Sequence, residues 1–230
     1  MKRKFFTVLL TGIACFSLWG QNLNDFEFKI ESSASNQTIT ITGYKGSMRN
    51  IRIPERINGI LVTEIGMEAF ADKMLDSVIF PASIKSIGEK AFFNNRLTNI
   101  DLSNLNVFIG RWAFAKNLLI NLVLPQNKES LDGYVFYDNK LTSIVLPNNI
   151  KFIGQGTFSG NQIVMIKIPG NVKLGDEENG WYSFTTVGYD EVNNRFYHIE
   201  SNPFDKFYIQ NGRRAGVYSF NNNRWNYSLE

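Results

Sequence analysis

The sequence predicts a repeat solenoid of short parallel strands, with little helix and β-rich caps at both ends. Three observations carry that expectation. Leu75, Leu97, Leu119, Leu141 and Ile163 recur every 22 residues, and further columns keep that interval from Ile65 to Pro169 without a slip. The recurring positions are apolar, glycine or proline, the residue types that build a core and turn a chain. The 230 residues are 43% hydrophobic and 14% aromatic, enough for a continuous core and too much for disorder.

Each column has a physical task. Three residues after the leucines stand Val78, Ile100, Leu122, Ile144 and Ile166, and two later Phe80, Leu102, Leu124, Leu146 and Ile168. That alternation is a strand placing two side chains inward and the residues between them outward. Pro81, Ser103, Pro125, Pro147 and Pro169 follow, and proline ends strand pairing because it has no donor. Ile65, Ile87, Ile109, Leu131 and Ile153 precede Gly66, Gly88, Gly110, Asp132 and Gly154. The glycines suggest positive φ or close backbone approach, a demand that Asp132 with Gly133 would meet one residue late. Phe70, Phe92, Phe114, Phe136 and Phe158 supply bulk for the coil interior. Three residues beyond them, Lys73 is followed by Asn95, Asn117, Asn139 and Asn161. Those four asparagines are expected to form a structural ladder to the backbone of neighbouring coils, since buried amides need partners.

Segments such as Leu141-Thr-Ser-Ile-Val-Leu-Pro-Asn-Asn-Ile-Lys-Phe-Ile-Gly-Gln-Gly-Thr-Phe-Ser-Gly-Asn161 resemble the BspA-like, or Treponema-type, leucine-rich repeats of bacterial surface proteins. The resemblance covers about residues 48–170. It implies a curved solenoid with its parallel sheet on the concave side, exposed on a surface or secreted, and adhesion to host proteins or other cells. Ile39-Thr-Ile-Thr-Gly-Tyr-Lys-Gly46 resembles the usual lead-in, and Asn211-Gly-Arg-Arg-Ala-Gly-Val-Tyr218 a tail of spirochaetal relatives. The sequence departs from the pattern in three places. Pro54 to Pro81 spans 27 residues, five more than the repeat, around Asn58-Gly59. Asn106 and Lys128 occupy the column where Ile84 and Ile150 are apolar, with Leu105 a local substitute for Asn106. The coil around residues 126–133 is therefore expected to be the least regular.

The ends read differently. Residues 1–20 join Lys2-Arg3-Lys4 to an apolar stretch too short to span a bilayer, the layout of a secretory signal peptide. Without those three cations, 21 basic residues face 21 acidic ones, so bulk charge gives no support for nucleic-acid binding. Cys15, the single cysteine, lies in Gly12-Ile13-Ala14-Cys15, which partly matches a lipobox and keeps a lipid anchor open beside ordinary export. The processed chain then has no disulfide and no transmembrane segment, and is periplasmic, outer-surface or secreted. Residues 21–47 alternate as an N-terminal β-hairpin cap. Residues 171–230 are read as an irregular segment followed by a small β-meander, with Phe204–Ile209 as its first strand. That segment either caps the solenoid or hangs from it, and edge protection favours the cap.

Catalytic chemistry finds little to stand on. His198 is the only histidine, and no nucleophile elbow, phosphate loop or dinucleotide fingerprint accompanies it. Asp176-Glu177-Glu178 with Asp190-Glu191 reads as a solvated acidic loop, not a calcium site, because the spacing is not loop-like. No cofactor, metal or enzymatic activity is expected. The outward strand residues remain as a binding face: Asn50, Ser77, Asn99, Asn121, Ser143 and Met165 in one column, Arg52, Ile79, Asp101, Val123, Val145 and Lys167 in the next. Exposed Ile79, Val123 and Val145 would form an apolar patch, although single surface aliphatics are also ordinary. Twelve residues fall short of the roughly 20–30 per side of a standard interface. Flanking aromatics (Trp112 with Tyr134, Phe108 with Phe152) would have to contribute. The expected partners are proteins, either host matrix or cell-surface proteins or further copies of the chain in a self-associating envelope component.

Overall fold

The computed structural model describes residues 22–33, 36–175, 183–184, 186–190, 195–199, 204–222 and 224–229, of which 186–190 and 195–199 are described by backbone alone. Met1–Gly20, Cys15, the Asp176-Glu177-Glu178 run, Glu191 and the His198 side chain lie outside the described residues. The described chain is a β-solenoid of about six turns.

An antiparallel hairpin opens it, β1 (Phe26–Ser32) against β2 (Gln37–Tyr44). Then come β3 (Asn50–Arg52), β4 (Arg56–Ile57) and β5 (Ile60–Ile65). β4 and β5 form a tight antiparallel turn through Asn58 and Gly59, whose φ values are 51° and 79°. The five residues in excess of the repeat thus make a hairpin, and positive φ at both central positions is what Asn-Gly supplies.

From there each coil contributes two strands, not the single one the column pattern suggested. One series is β6 (Ser77–Ile79), β8 (Asn99–Asp101), β10 (Asn121–Val123), β12 (Ser143–Val145) and β14 (Met165–Ile168). The other is β7 (Ser86–Ile87), β9 (Phe108–Ile109), β11 (Ser130–Leu131), β13 (Phe152–Ile153) and β15 (Lys173–Leu174). Parallel pairing within the first series joins β3 to β6, β8 to β10 and β12 to β14. Pairing within the second runs β2–β5–β7–β9, breaks, and resumes as β11–β13–β15.

The glycine column explains the coil spacing. Gly66, Gly88, Gly110 and Gly154 do not adopt positive φ; they stand where backbones meet. A Cβ on Gly88 would lie 2.8 Å from the Gly66 carbonyl carbon, and one on Gly154 2.5 Å from Gly133 N. The left-handed residues fall two and six places later. Glu68, Lys90, Trp112, Tyr134 and Gly156 have φ of 53–63°, and Asp72, Asn94, Lys116, Asp138 and Gly160 have φ of 52–75°. Asp132 replaces the glycine at the one coil where β9 and β11 fail to pair. A real Cβ at that point keeps the strands apart. Lys128 bridges the same seam, its Nζ donating to the Val107 carbonyl at 2.8 Å. In the preceding coil Leu105 is buried and Asn106 exposed.

Inside the coils the phenylalanines form a spine. Phe70–Phe92, Phe92–Phe114, Phe114–Phe136 and Phe136–Phe158 stack with centroids 5.0, 5.4, 5.8 and 5.6 Å apart. The stack runs on to Phe184, 5.0 Å from Phe158, so the repeat continues past Pro169 through β15. The asparagines bridge coils beside this spine. Asn139 Oδ1 accepts from Leu119 N at 3.0 Å, while its Nδ2 donates to Phe114 O at 3.0 Å and Phe136 O at 3.1 Å. Asn95, Asn117 and Asn161 repeat the arrangement.

After β16 (Thr186–Asp190) and β17 (Arg195–Ile199), an antiparallel pair, the chain departs from the expected meander. Residues Phe204–Gln210 form helix α1, not a strand. Phe204 and Tyr208 are four residues apart and both buried, a helical periodicity that the aromatic content of the segment masked. Asp205, buried in the first turn, accepts from Ser183 N at 3.1 Å and Phe184 N at 3.1 Å, which ties the helix to the last ring of the spine. β18 (Gly216–Asn221) then pairs antiparallel with β14, and β19 (Arg224–Ser228) with β18. The hairpin at each end therefore covers an edge of a different series.

Two outcomes follow. Replacing Asn139, fully buried, by alanine leaves the buried Leu119 N–H without its acceptor and removes three donations to carbonyls that keep other donors, and is expected to cost about 2–3 kcal/mol in chemical denaturation. Asn161→Ala, at a half-buried position, is expected to cost less. Burial holds the Lys128 ammonium below the ordinary lysine range, against the opposing pull of Asp132. The folded chain then releases that proton more readily than the unfolded one, so stability rises as pH climbs from the folded value to the unfolded one. Lys128→Ile is expected to stabilise the protein at neutral pH by about 1 kcal/mol. Melting curves should show that advantage shrinking as the pH becomes alkaline.

Candidate interaction surface

The proposed face is built by the first strand series. Alternation within three-residue strands forces it: Ile51, Ile100 and Ile144 are buried while the residue on either side points out. All six strands present an outward pair, and the two columns lie in register wherever the strands pair. Ser143 aligns with Met165 and Val145 with Lys167, and Asn99 aligns with Asn121. Ile79, Val123, Val145 and Met165 are exposed by 42, 44, 59 and 44%. Asn50, Arg52, Asn99, Asp101, Asn121 and Ser143 are exposed, and Ser77 and Lys167 half-buried.

The polar column is cross-linked. Ser77 Oγ donates to Asn50 Oδ1 at 2.7 Å, Asn121 Nδ2 to Asn99 Oδ1 at 2.7 Å, and Asn99 Nδ2 to Thr98 Oγ1 at 2.8 Å. Hydrogen bonds from the Ser103 side chain and backbone hold the Asp101 carboxyl below its usual range, so it is ionised at neutral pH. These side chains are thus held in place, and side chains already ordered lose less entropy in any contact.

Sequence reasoning missed the apolar flank. Leu118, Ile120 and Val164, at 43, 55 and 47% exposure, enter or precede the same strands. Their signal was present, since Ile120 and Val164 share one column with Asp76, Thr98 and Thr142, but that column is polar in the other coils.

The aromatic flanks divide. Phe108 and Phe152 are exposed, by 58 and 37%, on the second strand series. Trp112 and Tyr134 are not a binding patch. Their rings stack 4.3 Å apart at 3°, Tyr134 is 2% exposed, and Tyr137 and Phe93 pack edge-on against Trp112. Left-handed backbone at both positions turns the rings onto one another. This satellite cluster, with the Arg111 guanidinium 5.6 Å from the Tyr134 centroid, braces the turns on the coil exterior. Among the described residues no group of three or more His, Cys, Asp or Glu side chains could hold a metal ion. No described helix is long and apolar enough to cross a membrane.

With this geometry in hand, the family follows. The "BspA type Leucine rich repeat region" matches residues 63–187 in six copies, and the chain belongs to that family. No curated protein matches it. Among solved structures, the leucine-rich repeat protein of Treponema pallidum is 25% identical over 66% of this chain and 62% of its own, with a TM-score of 0.40. A leucine-rich cell surface protein from Faecalibacterium prausnitzii is 20% identical over 80% of this chain and 61% of its own, at 0.42. A leucine-rich repeat protein from Bacteroides ovatus is 16% identical over 67% and 60%, at 0.35. The chain spans about three fifths of the length of these structures.

The two aromatic sets should separate experimentally. Trp112→Ala is expected to lower stability by about 3 kcal/mol, and Phe108→Ser to change it by less than about 0.5 kcal/mol. Parallel thermal melts of the two variants check this.

Proposed function

We propose that this chain is an exported protein-interaction scaffold that binds a host matrix or cell-surface protein through the outward residues of β3, β6, β8, β10, β12 and β14. Residues 1–20 act as its export signal, while residues 21–47 and the helix and hairpin from Phe204 on cap the repeats, which run on past Pro169 to Phe184. The observation that carries this reading is the gathering of exposed aliphatics on one held strand face. Leu118, Ile120, Val123, Val145, Val164 and Met165 are exposed on three consecutive coils, where a soluble surface would scatter them.

Six strands at roughly 4.8 Å spacing span only about 24–29 Å. The flanking residues bring the contact set closer to a standard interface. Charge sits at the ends and centre, with Arg52, Asp101 and Lys167, and fixes orientation more than affinity. The chemistry is that of adhesion, not turnover. The alternative reading, an envelope component binding copies of itself, draws on exposed Phe108 and Phe152; light scattering of the parent beside Phe108→Ser tests it, and an oligomer unchanged by that variant removes it.

Binding of the processed protein to a panel of matrix proteins, with Val123→Asp and Val145→Asp beside the parent, tests the face. A charge placed in a desolvated contact is expected to weaken binding at least ~10-fold, with melting unchanged because both positions are exposed. Equal binding by parent and variants would overturn recognition through this face.

A further inference from the structure

Away from the strand face, β1 is the outermost strand of the six-stranded sheet, paired among the described residues only with β2. Its seven residues run about 24 Å, longer than most strands, and offer a row of backbone donors and acceptors along the open side. Natural edges are blunted by proline, by charged side chains, by an inward charge, by a bulge or by shortness. β1 carries exposed charges, Glu27, Lys29 and Glu31, but no proline, no inward charge and no bulge of its own. Its even positions, Phe26, Phe28 and Ile30, are apolar, and its charges all stand on the odd positions. The irregularity in the hairpin falls on β2, where Thr42 is the extra residue between the partners of Glu27 and Phe28, so β1 itself stays regular. Ile30 is 39% exposed although its partner across the hairpin, Ile39, is fully buried.

We infer that β1 is a self-recognition edge, pairing antiparallel with β1 of a second copy about a two-fold axis at Phe28. The charges favour that register over the one centred a residue later. With Phe28 opposite Phe28 of the second copy, Glu27 faces Lys29 twice, and Phe26 faces Ile30 twice. A two-fold centred one residue later sets Glu27 against Glu31 twice and Lys29 against Lys29, which opposes pairing. In the favoured register Ile30 gains a second apolar neighbour, Phe26 of the other copy, beside Ile39. Within the monomer Lys29 pairs with Glu31 and Glu27 with Lys45, both at 2.6 Å and solvent-exposed. Such exposed pairs are worth little and exchange readily for the intermolecular ones. An isologous two-fold contact closes on itself, so it yields a dimer and no fibre. The strand faces of both copies stay free, and a bivalent molecule gains avidity on any surface carrying several partners. The inference does not rest on what those faces bind.

Sedimentation equilibrium of the processed protein over a wide concentration range tests it. The parent is expected to pass from monomer to dimer, while hydrogen exchange at the outward amides of β1 slows with concentration. Lys29→Glu, which sets like charges against each other twice, is expected to weaken the dimer at least ~10-fold without altering the melting curve. The swap Glu27→Lys with Lys29→Glu rebuilds the pairs with reversed sign and restores dimerisation. A parent that stays monomeric throughout, a dimer indifferent to Lys29→Glu, or a double variant that fails to recover would each overturn the proposal, as would a dimer broken by Val145→Asp.

Discussion

Backbone satisfaction between coils is the constraint on which the rest of this structure depends. Strands two or three residues long cannot pair all the amides of a 22-residue coil, and the turns between them are buried against their neighbours. The asparagine carboxamide resolves this. It accepts from a backbone N–H of the preceding coil and donates both to that coil and to its own, as Asn117 does with Leu97 N, Phe92 O and Phe114 O. A shorter or apolar residue there would leave the buried Leu97 N–H without its acceptor. The ladder and the phenylalanine spine have one spacing because they hang on the same turn. Rings stacked near 5–6 Å and amides bonded near 3 Å both require successive coils to lie in register.

Glycine sets how closely those coils approach, and the seam at Asp132 shows the consequence of its loss. Gly88, Gly110 and Gly154 let backbone meet backbone at distances no Cβ would tolerate, and Gly66 stands at the limit. Asp132 interrupts the second series, and Lys128 in the same coil replaces an aliphatic side chain with one whose ammonium must find the Val107 carbonyl. The first series is interrupted elsewhere, between β6 and β8 and between β10 and β12. Breaks at different heights leave every coil joined to its neighbours through the spine and ladder, so the stack remains one core.

Most of this was legible in the sequence, for a physical reason. A repeat states the same packing problem several times over, so a column such as Phe70 to Phe158 identifies its own role. What stayed hidden belonged to positions without repetition. Phe184 continues the spine, yet it stands 26 residues after Phe158, outside the interval. Helix α1 occurs once, and its two buried aromatics are as compatible with a strand until the Asp205 link to Ser183 and Phe184 is seen. Trp112 and Tyr134 share a column and looked available. Their stacking, which buries Tyr134 and half-buries Trp112, depends on left-handed backbone at non-glycine residues, which residue identity does not announce.

Such a division of labour also tells where function can reside. Inward columns are fixed by the ladder, the spine and the glycine contacts, each of which joins a coil to its neighbour. The outward positions of each strand carry none of those duties. Across six coils they range from Arg52 through Asp101 and Val123 to Lys167, while the inward neighbours scarcely vary from Ile51 to Ile166. Variation that the fold does not demand is where recognition can be written. The exposed aliphatics of the later coils are the part of that variation least comfortable in water, so they are the part for which a partner supplies the most natural physical explanation.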